Sequence, residues 1–175
     1  MAARGFIELL RLADYGRQRQ QGGQENENVR WSGIAFSFAG YQFVAPLGEV
    51  AEVVPVPAST TVPSAKPWMR GLANVRGRLL PLTDLAIFLQ LPETELSRLS
   101  KVMIIDQAAH YSGVIVDQVM GIQHFNKQSY FGSNPQLPEV LAQYTHGYFE
   151  RQGQQWHVFL LSKLVQDQTY LNASA

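Results

Sequence analysis

From Trp31 to Leu160 the chain is written in short runs of two-residue alternation separated by turn residues, and this rhythm constrains the fold more than any other feature. Ile34, Phe36 and Phe38 alternate with Ala35 and Ser37, Ala39-Gly40 interrupts, and Tyr41, Phe43 and Ala45 alternate with Gln42 and Val44. Two strands joined by a tight hairpin follow directly. Further strand-like runs are Ala51 to Val54, Met69 to Val75, Leu79 to Leu82, Lys101 to Asp106, Ser112 to Val116, Gly121 to Phe125, His146 to Glu150 and Gln155 to Leu160, with breakers such as Arg76-Gly77 and Gln152-Gly153 between most of them. About ten short strands with few helices predict an all-β fold of closed barrels, since closure removes the sheet edges that template aggregation.

Outside this rhythm the periodicity is helical or absent. Phe6, Leu9, Leu10 and Ala13 predict an amphipathic helix from about Gly5 to Tyr15, and the Gln- and Gly-rich stretch from Gly16 to Asn28 reads as a flexible linker. Short helices are expected after Asp84, to about Gln90, and after Ser162, to about Asp167, each residue serving as an N-cap. The expected organisation is a helix and linker over 1–30, one domain over 31–167 and a C-terminal tail over 168–175.

Composition removes several function classes. There is no Cys, so disulfides, thiolate metal sites and cysteine nucleophiles are excluded. Arg4, Glu8 and Arg11 interrupt the N-terminus, which lacks the apolar core of a signal peptide, and no apolar run approaches the roughly 20 residues of a membrane span. A cytoplasmic protein without direct membrane insertion is expected. The 14 basic and 14 acidic residues cancel, so no global field favours nucleic acid.

No catalytic constellation emerges. His110, His124, His146 and His157 are dispersed, none at a helix-borne metal spacing, and His124 and His146 in alternating strands read as hydrogen-bonded structural histidines. Gly71 and Gly77 are separated by five residues and followed by Arg78-Leu79, which is not a Walker A loop. Asp84, Asp106 and Asp117 each end or follow a strand, where Asp caps and turns, and no Gly-x-Ser-x-Gly elbow occurs. A non-enzymatic protein without cofactor or metal is the expectation.

One segment stands out, running from Lys66 through Trp68, Gly71, Asn74, Arg76, Gly77 and Pro81 to Asp84-Leu85. It reads as strand, tight turn and strand, with Pro81 confined to an edge or bulge because it cannot donate to a ladder. Arg76 at the turn either braces its carbonyls or meets a partner's carboxylate.

This segment resembles the signature of the CheW family: a Pro-rich lead-in, an aromatic, Gly, Asn-x-Arg-Gly, a hydrophobic pair with Pro, and Asp-Leu. Gly71, Asn74, Arg76, Gly77, Pro81, Asp84 and Leu85 match it position by position. Val50-Ala51-Glu52-Val53 and Gly113-Val-Ile-Val-Asp117-Gln-Val119 are similar to two further family motifs, in family order. Trp31-Ser-Gly-Ile34, Asn74-Val-Arg-Gly-Arg-Leu-Leu-Pro81, Gln123-His-Phe125 and His146-Gly147 look like the branch found in type IV pilus, or twitching motility, systems. The departures are the N-terminal helix and linker, and Phe159-Leu-Leu-Ser162, where the family usually carries an acid before its last helix.

The resemblance implies two intertwined five-stranded SH3-like barrels sharing a hydrophobic seam. It also implies a non-catalytic adaptor, one surface binding the regulatory domain of a CheA-type histidine kinase and a groove near the seam taking the cytoplasmic tip of a methyl-accepting chemoreceptor. Carried over by position, the partner-binding candidates are Val50, Glu52, Gly71, Asn74, Arg76 and Val119, with burial in the core the alternative for Val50 and Val119. Two other classes compete. A small nucleic-acid-binding barrel would use Lys66, Arg70, Arg76 and Arg78 as a basic patch, and a ligand-binding barrel would need a small-molecule pocket.

Overall fold

The computed structural model describes residues 30–93, 95–107, 109–133 and 136–173. The helix expected between Gly5 and Tyr15 and its linker lie outside these residues. Among the described residues eleven strands form two curled sheets, those of two SH3-like barrels. The first sheet has the order β8-β1-β2-β11-β10-β9, built from Arg30–Phe38 (β1), Tyr41–Pro46 (β2), Gln118–Asn126 (β8), Tyr130–Phe131 (β9), Thr145–Arg151 (β10) and Gln154–Phe159 (β11). The second has the order β3-β6-β7-β5-β4, built from Glu52–Pro55 (β3), Met69–Val75 (β4), Arg78–Asp84 (β5), Lys101–Gln107 (β6) and His110–Val116 (β7). The first sheet exceeds the expected five strands through the two-residue β9, too short to carry an alternation signal.

The chain starts in the first sheet, crosses to the second for β3 to β7 and returns at β8. At the return, the Asp117 N–H donates to Ser37 O and the Asp117 side chain accepts from the Ala39 N–H, at 3.0 and 3.1 Å. Asp117 therefore ties the crossover to the β1–β2 hairpin.

Alternation explains the core. In β1, Phe36 and Phe38 enter a cluster that also holds Phe43, Val50, Met103, Ile105, Val114, Val116 and Phe159, drawn from both sheets. Ala35, Val44 and Val158, of the opposite parity, line the first barrel with Phe125, Phe149 and Trp156. In the second barrel Val102, Ile104 and Ile115 alternate in the same way and join Leu80 and Leu82 inside it. These strands bury both faces, one in their own barrel and one in the shared seam, and so are apolar at both parities.

Two local expectations, those for Ser162 and for Pro81, are revised. Ser162 is not a cap: the helix Leu161–Leu164 begins one residue earlier, and the Ser162 N–H donates to Glu49 Oε2 at 3.3 Å. Asp167 instead caps a further helix, Gln168–Leu171, over residues set apart as a tail. Its Tyr170 is buried, stacks on Trp68 and shares a hydrogen bond with Ser112. Pro81 sits in β5, which is internal to its sheet, not at an edge. Leu72 spends its N–H and C=O on Thr60 and is Pro81's partner across β4, so the Pro81 nitrogen faces β7, whose pairing begins only at Leu82. The missing donor costs no ladder bond.

Candidate partner-binding site

The structure divides the six candidate residues. Glu52, Asn74 and Arg76 meet at one end of the second barrel, whereas Gly71, Val50 and Val119 lie elsewhere. The β4–β5 turn has Arg76 at φ 51° and Gly77 at φ 81°, the double left-handed geometry that matches strand twist. Asn74 holds it, Oδ1 accepting from the Gly77 N–H at 2.9 Å.

Arg76 does not brace its own turn. Its Nη2 donates to Glu52 Oε1 of β3 at 2.6 Å, with the Arg76 side chain 78% exposed and that of Glu52 29%. Beside it, Arg78 Nη1 lies 2.7 Å from Asp106 Oδ2, and its guanidinium stacks 3.6 Å from the Tyr111 ring centre. Glu52 is registered with Ile104, and Asp106 with Tyr111, so these groups share the face that lines the barrel. Two ion pairs thus cap the barrel end. On the outer face Leu79, opposite Asn74, is 64% exposed.

Gly71 is a structural requirement. Its φ is 144°, and a Cβ there would stand 2.4 Å from Thr60 O, where the chain after β3 pairs with Leu72 and closes the barrel. Val50 is buried in the seam cluster. Val119 is opposite Phe36 across β1–β8, hence on the seam face, and is only half-buried there. With half-buried Ile34 and Val53 it forms the accessible margin of the seam.

The three arginines of the expected basic patch are each in an ion pair. Arg76 and Arg78 pair as above, and Arg70 lies 2.7 Å from Glu93 Oε1 and 3.3 Å from Asp84 Oδ2. The Asp84 contact is an ion pair without hydrogen-bond alignment, since Arg70 Nε and Asp84 Oδ2 both lack a hydrogen-bond partner. Burial raises the Asp84 carboxyl above its usual range, while the Ile87 N–H that it caps and the Arg70 charge pull the other way. The expected structural histidines are hydrogen-bonded, His124 to Ser32 and His146 to Tyr130, each at 2.6 Å.

Sequence reasoning missed Leu79, Arg78 and Asp106 as members of this end. The Leu79-Leu80 pair carried a signal, because adjacent strand residues face opposite ways and one leucine had to point outward. The Arg78–Asp106 pairing carried none.

A double barrel presenting a polar end and an apolar seam margin is the architecture of the CheW-like family of scaffold and adaptor proteins. The chain belongs to the CheW-like family: the CheW-like domain matches residues 32–169. It is 42% identical over 151 residues to Protein PilI of Pseudomonas aeruginosa, covering 86% of this chain and 84% of that one. It is 31% identical over 85 residues to Chemotaxis protein CheW of Bacillus subtilis, covering 49% and 54%. Among solved structures, the scaffolding protein TtCheW from Thermoanaerobacter tengcongensis superposes with a TM-score of 0.65 at 21% identity, over 75% of this chain and 89% of that one. That likeness concerns the fold. Among the described residues no helix is long and apolar enough to cross a membrane, and no group of His, Asp and Glu stands together as a metal site.

Proposed function

We propose that this protein is an adaptor coupling a methyl-accepting chemoreceptor to a CheA-type histidine kinase in type IV pilus twitching motility. It acts in the cytoplasm, at the receptor array, through these partners and without turnover. The observation that carries the reading is the Glu52–Arg76 ion pair at the barrel end, with Leu79 exposed on the outer face of the same β4–β5 hairpin. Such a combination suits a protein contact, with the apolar residue as anchor and the ion pair giving orientation. Glu52, Asn74 and Arg76 serve the kinase domain. The seam margin at Ile34, Val53 and Val119 offers an apolar strip for a helical receptor tip, with Val50 supporting it from below.

Similarity to Protein PilI supports the twitching assignment. The test is reconstitution: the full chain is mixed with receptor-bearing membranes and kinase, and the sediment is assayed. Recruitment of kinase that depends on the chain is the expected result. Kinase recruitment equal with and without it would overturn the proposal.

A further inference from the structure

Three of the four segments that align the chain with the pilus branch, Trp31 to Ile34, Gln123 to Phe125 and His146-Gly147, converge on the first barrel, away from Glu52 and Arg76. Trp31 is registered with Phe125, Ser32 with His124 and Gly33 with Gln123 across β1–β8. Trp31 stacks on Phe149, whose strand β10 carries His146 and Gly147. Beside this ribbon lies a cleft of about 530 Å³. Arg30, Arg151 and His124 line it with Asn126 and Ser129, and Glu150 is its lone carboxylate.

Neither guanidinium is in an ion pair among the described residues. Arg151 donates to Gln123 Oε1 at 3.0 Å and lies 6.0 Å from the Phe125 ring centre, which holds it over the cleft. The adjacent strand β8 ends its sheet, and no described strand pairs with its outer edge. Its Ile122 is 57% exposed.

We propose that the β8 edge and this cleft form a second docking surface, for an extended, carboxylate-bearing segment of a protein partner. Excess cationic lining selects an anion, and an open strand edge selects a polypeptide, since only a second strand can match its row of N–H and C=O groups. The segment adds beside β8 and sets a carboxylate between Arg30 and Arg151 in charge-assisted hydrogen bonds. This surface is separate from the one assigned to the kinase.

The probe is a short fluorescein-labelled peptide alternating valine and glutamate, titrated into the full chain at low salt. Binding is expected, with Arg30→Gln and Arg151→Gln each lowering affinity by about fivefold or more. Both side chains are exposed, so thermal unfolding of the variants should match the parent. Arg76→Ala should leave peptide affinity unchanged, which separates this surface from the adaptor site. Equal affinity for a valine and glutamine peptide, absence of binding, or indifference to both Arg substitutions would overturn the proposal. So would a dimer in sedimentation that Arg151→Gln disperses, because the edge would then belong to a second copy.

Discussion

Arg76 and Glu52 are 24 positions apart in sequence, yet Arg76 Nη2 and Glu52 Oε1 stand 2.6 Å apart at the mouth of the second barrel. The turn that lifts Arg76 and the crossover that delivers Glu52 come from different parts of the chain. Each side chain limits where the other presents its charge.

Separating a partner contact from a fold contact at this pair requires two substitutions. Exposed ion pairs contribute about 0.2 to 1 kcal/mol, so Arg76→Ala should lower folding stability by no more than that. Its effect on kinase affinity should be larger, about 2 kcal/mol, if the guanidinium enters the interface. The swap Arg76→Glu with Glu52→Arg should restore the stability and not the binding. Denaturant unfolding and affinity measured on the same preparations check both, and a swap that recovers binding would assign the pair to the fold alone.

Gly71→Ala should be more damaging than its size suggests. The added methyl group would meet Thr60 O at 2.4 Å while the residue holds φ 144°, so the bridge between Thr60 and Leu72 must open. A loss of about 2 kcal/mol or more is expected in urea unfolding. A loss below about 0.5 kcal/mol would mean that the closure yields easily.

Phe159 contacts Phe36, Phe38, Phe43 and Tyr144 in the seam cluster. Truncation to Ala should cost about 3 to 5 kcal/mol. Because that cluster contains residues of both sheets, the barrels should unfold in one transition, with tryptophan fluorescence and far-UV circular dichroism coincident. Two separated transitions in the unaltered protein would show that the seam does not couple them.

Glu49 is buried at the seam, and burial raises its carboxyl above the usual range despite hydrogen bonds from Ser162 and Leu161. With the folded pKa above the unfolded one, stability is greatest below the unfolded pKa and declines as pH rises through the folded pKa. Glu49→Gln keeps an acceptor for the Ser162 N–H and removes this decline. The gain in melting temperature over the parent should therefore grow from about pH 4 to pH 7. A gain that is constant across this range would refute the linkage.

Asp167 behaves oppositely. Burial pushes its pKa upward, but hydrogen bonds from the Tyr144 hydroxyl, at 2.5 Å, and from the Thr169 and Tyr170 N–H groups outweigh it and leave the pKa lowered. The stabilisation is present above the unfolded pKa and is lost as pH falls through the folded one. Tyr144→Phe should cost about 1 kcal/mol at neutral pH, and the difference should shrink in acid as Asp167 protonates. Equal differences at neutral and acid pH would remove Asp167 from the account.

The local chemistry of this chain was legible without coordinates. Alternation in Ile34 to Phe38 and Tyr41 to Ala45, with Ala39-Gly40 between, specifies a hairpin because side-chain period and turn geometry are both local properties. The Asp84 cap and the Arg76-Gly77 turn are of the same kind. What tertiary structure alone decided are the relations between distant segments. Alternation states that Phe36 and Ala35 face opposite ways, but not which face meets the seam and which the barrel, since both are apolar. Lys66, Arg70, Arg76 and Arg78 read as a basic patch because the carboxylate partners of the three arginines, Asp84 and Glu93 for Arg70, Glu52 for Arg76 and Asp106 for Arg78, are supplied largely by other strands and loops. Pairing between charges depends on distance in space, and a sequence records distance only along the chain.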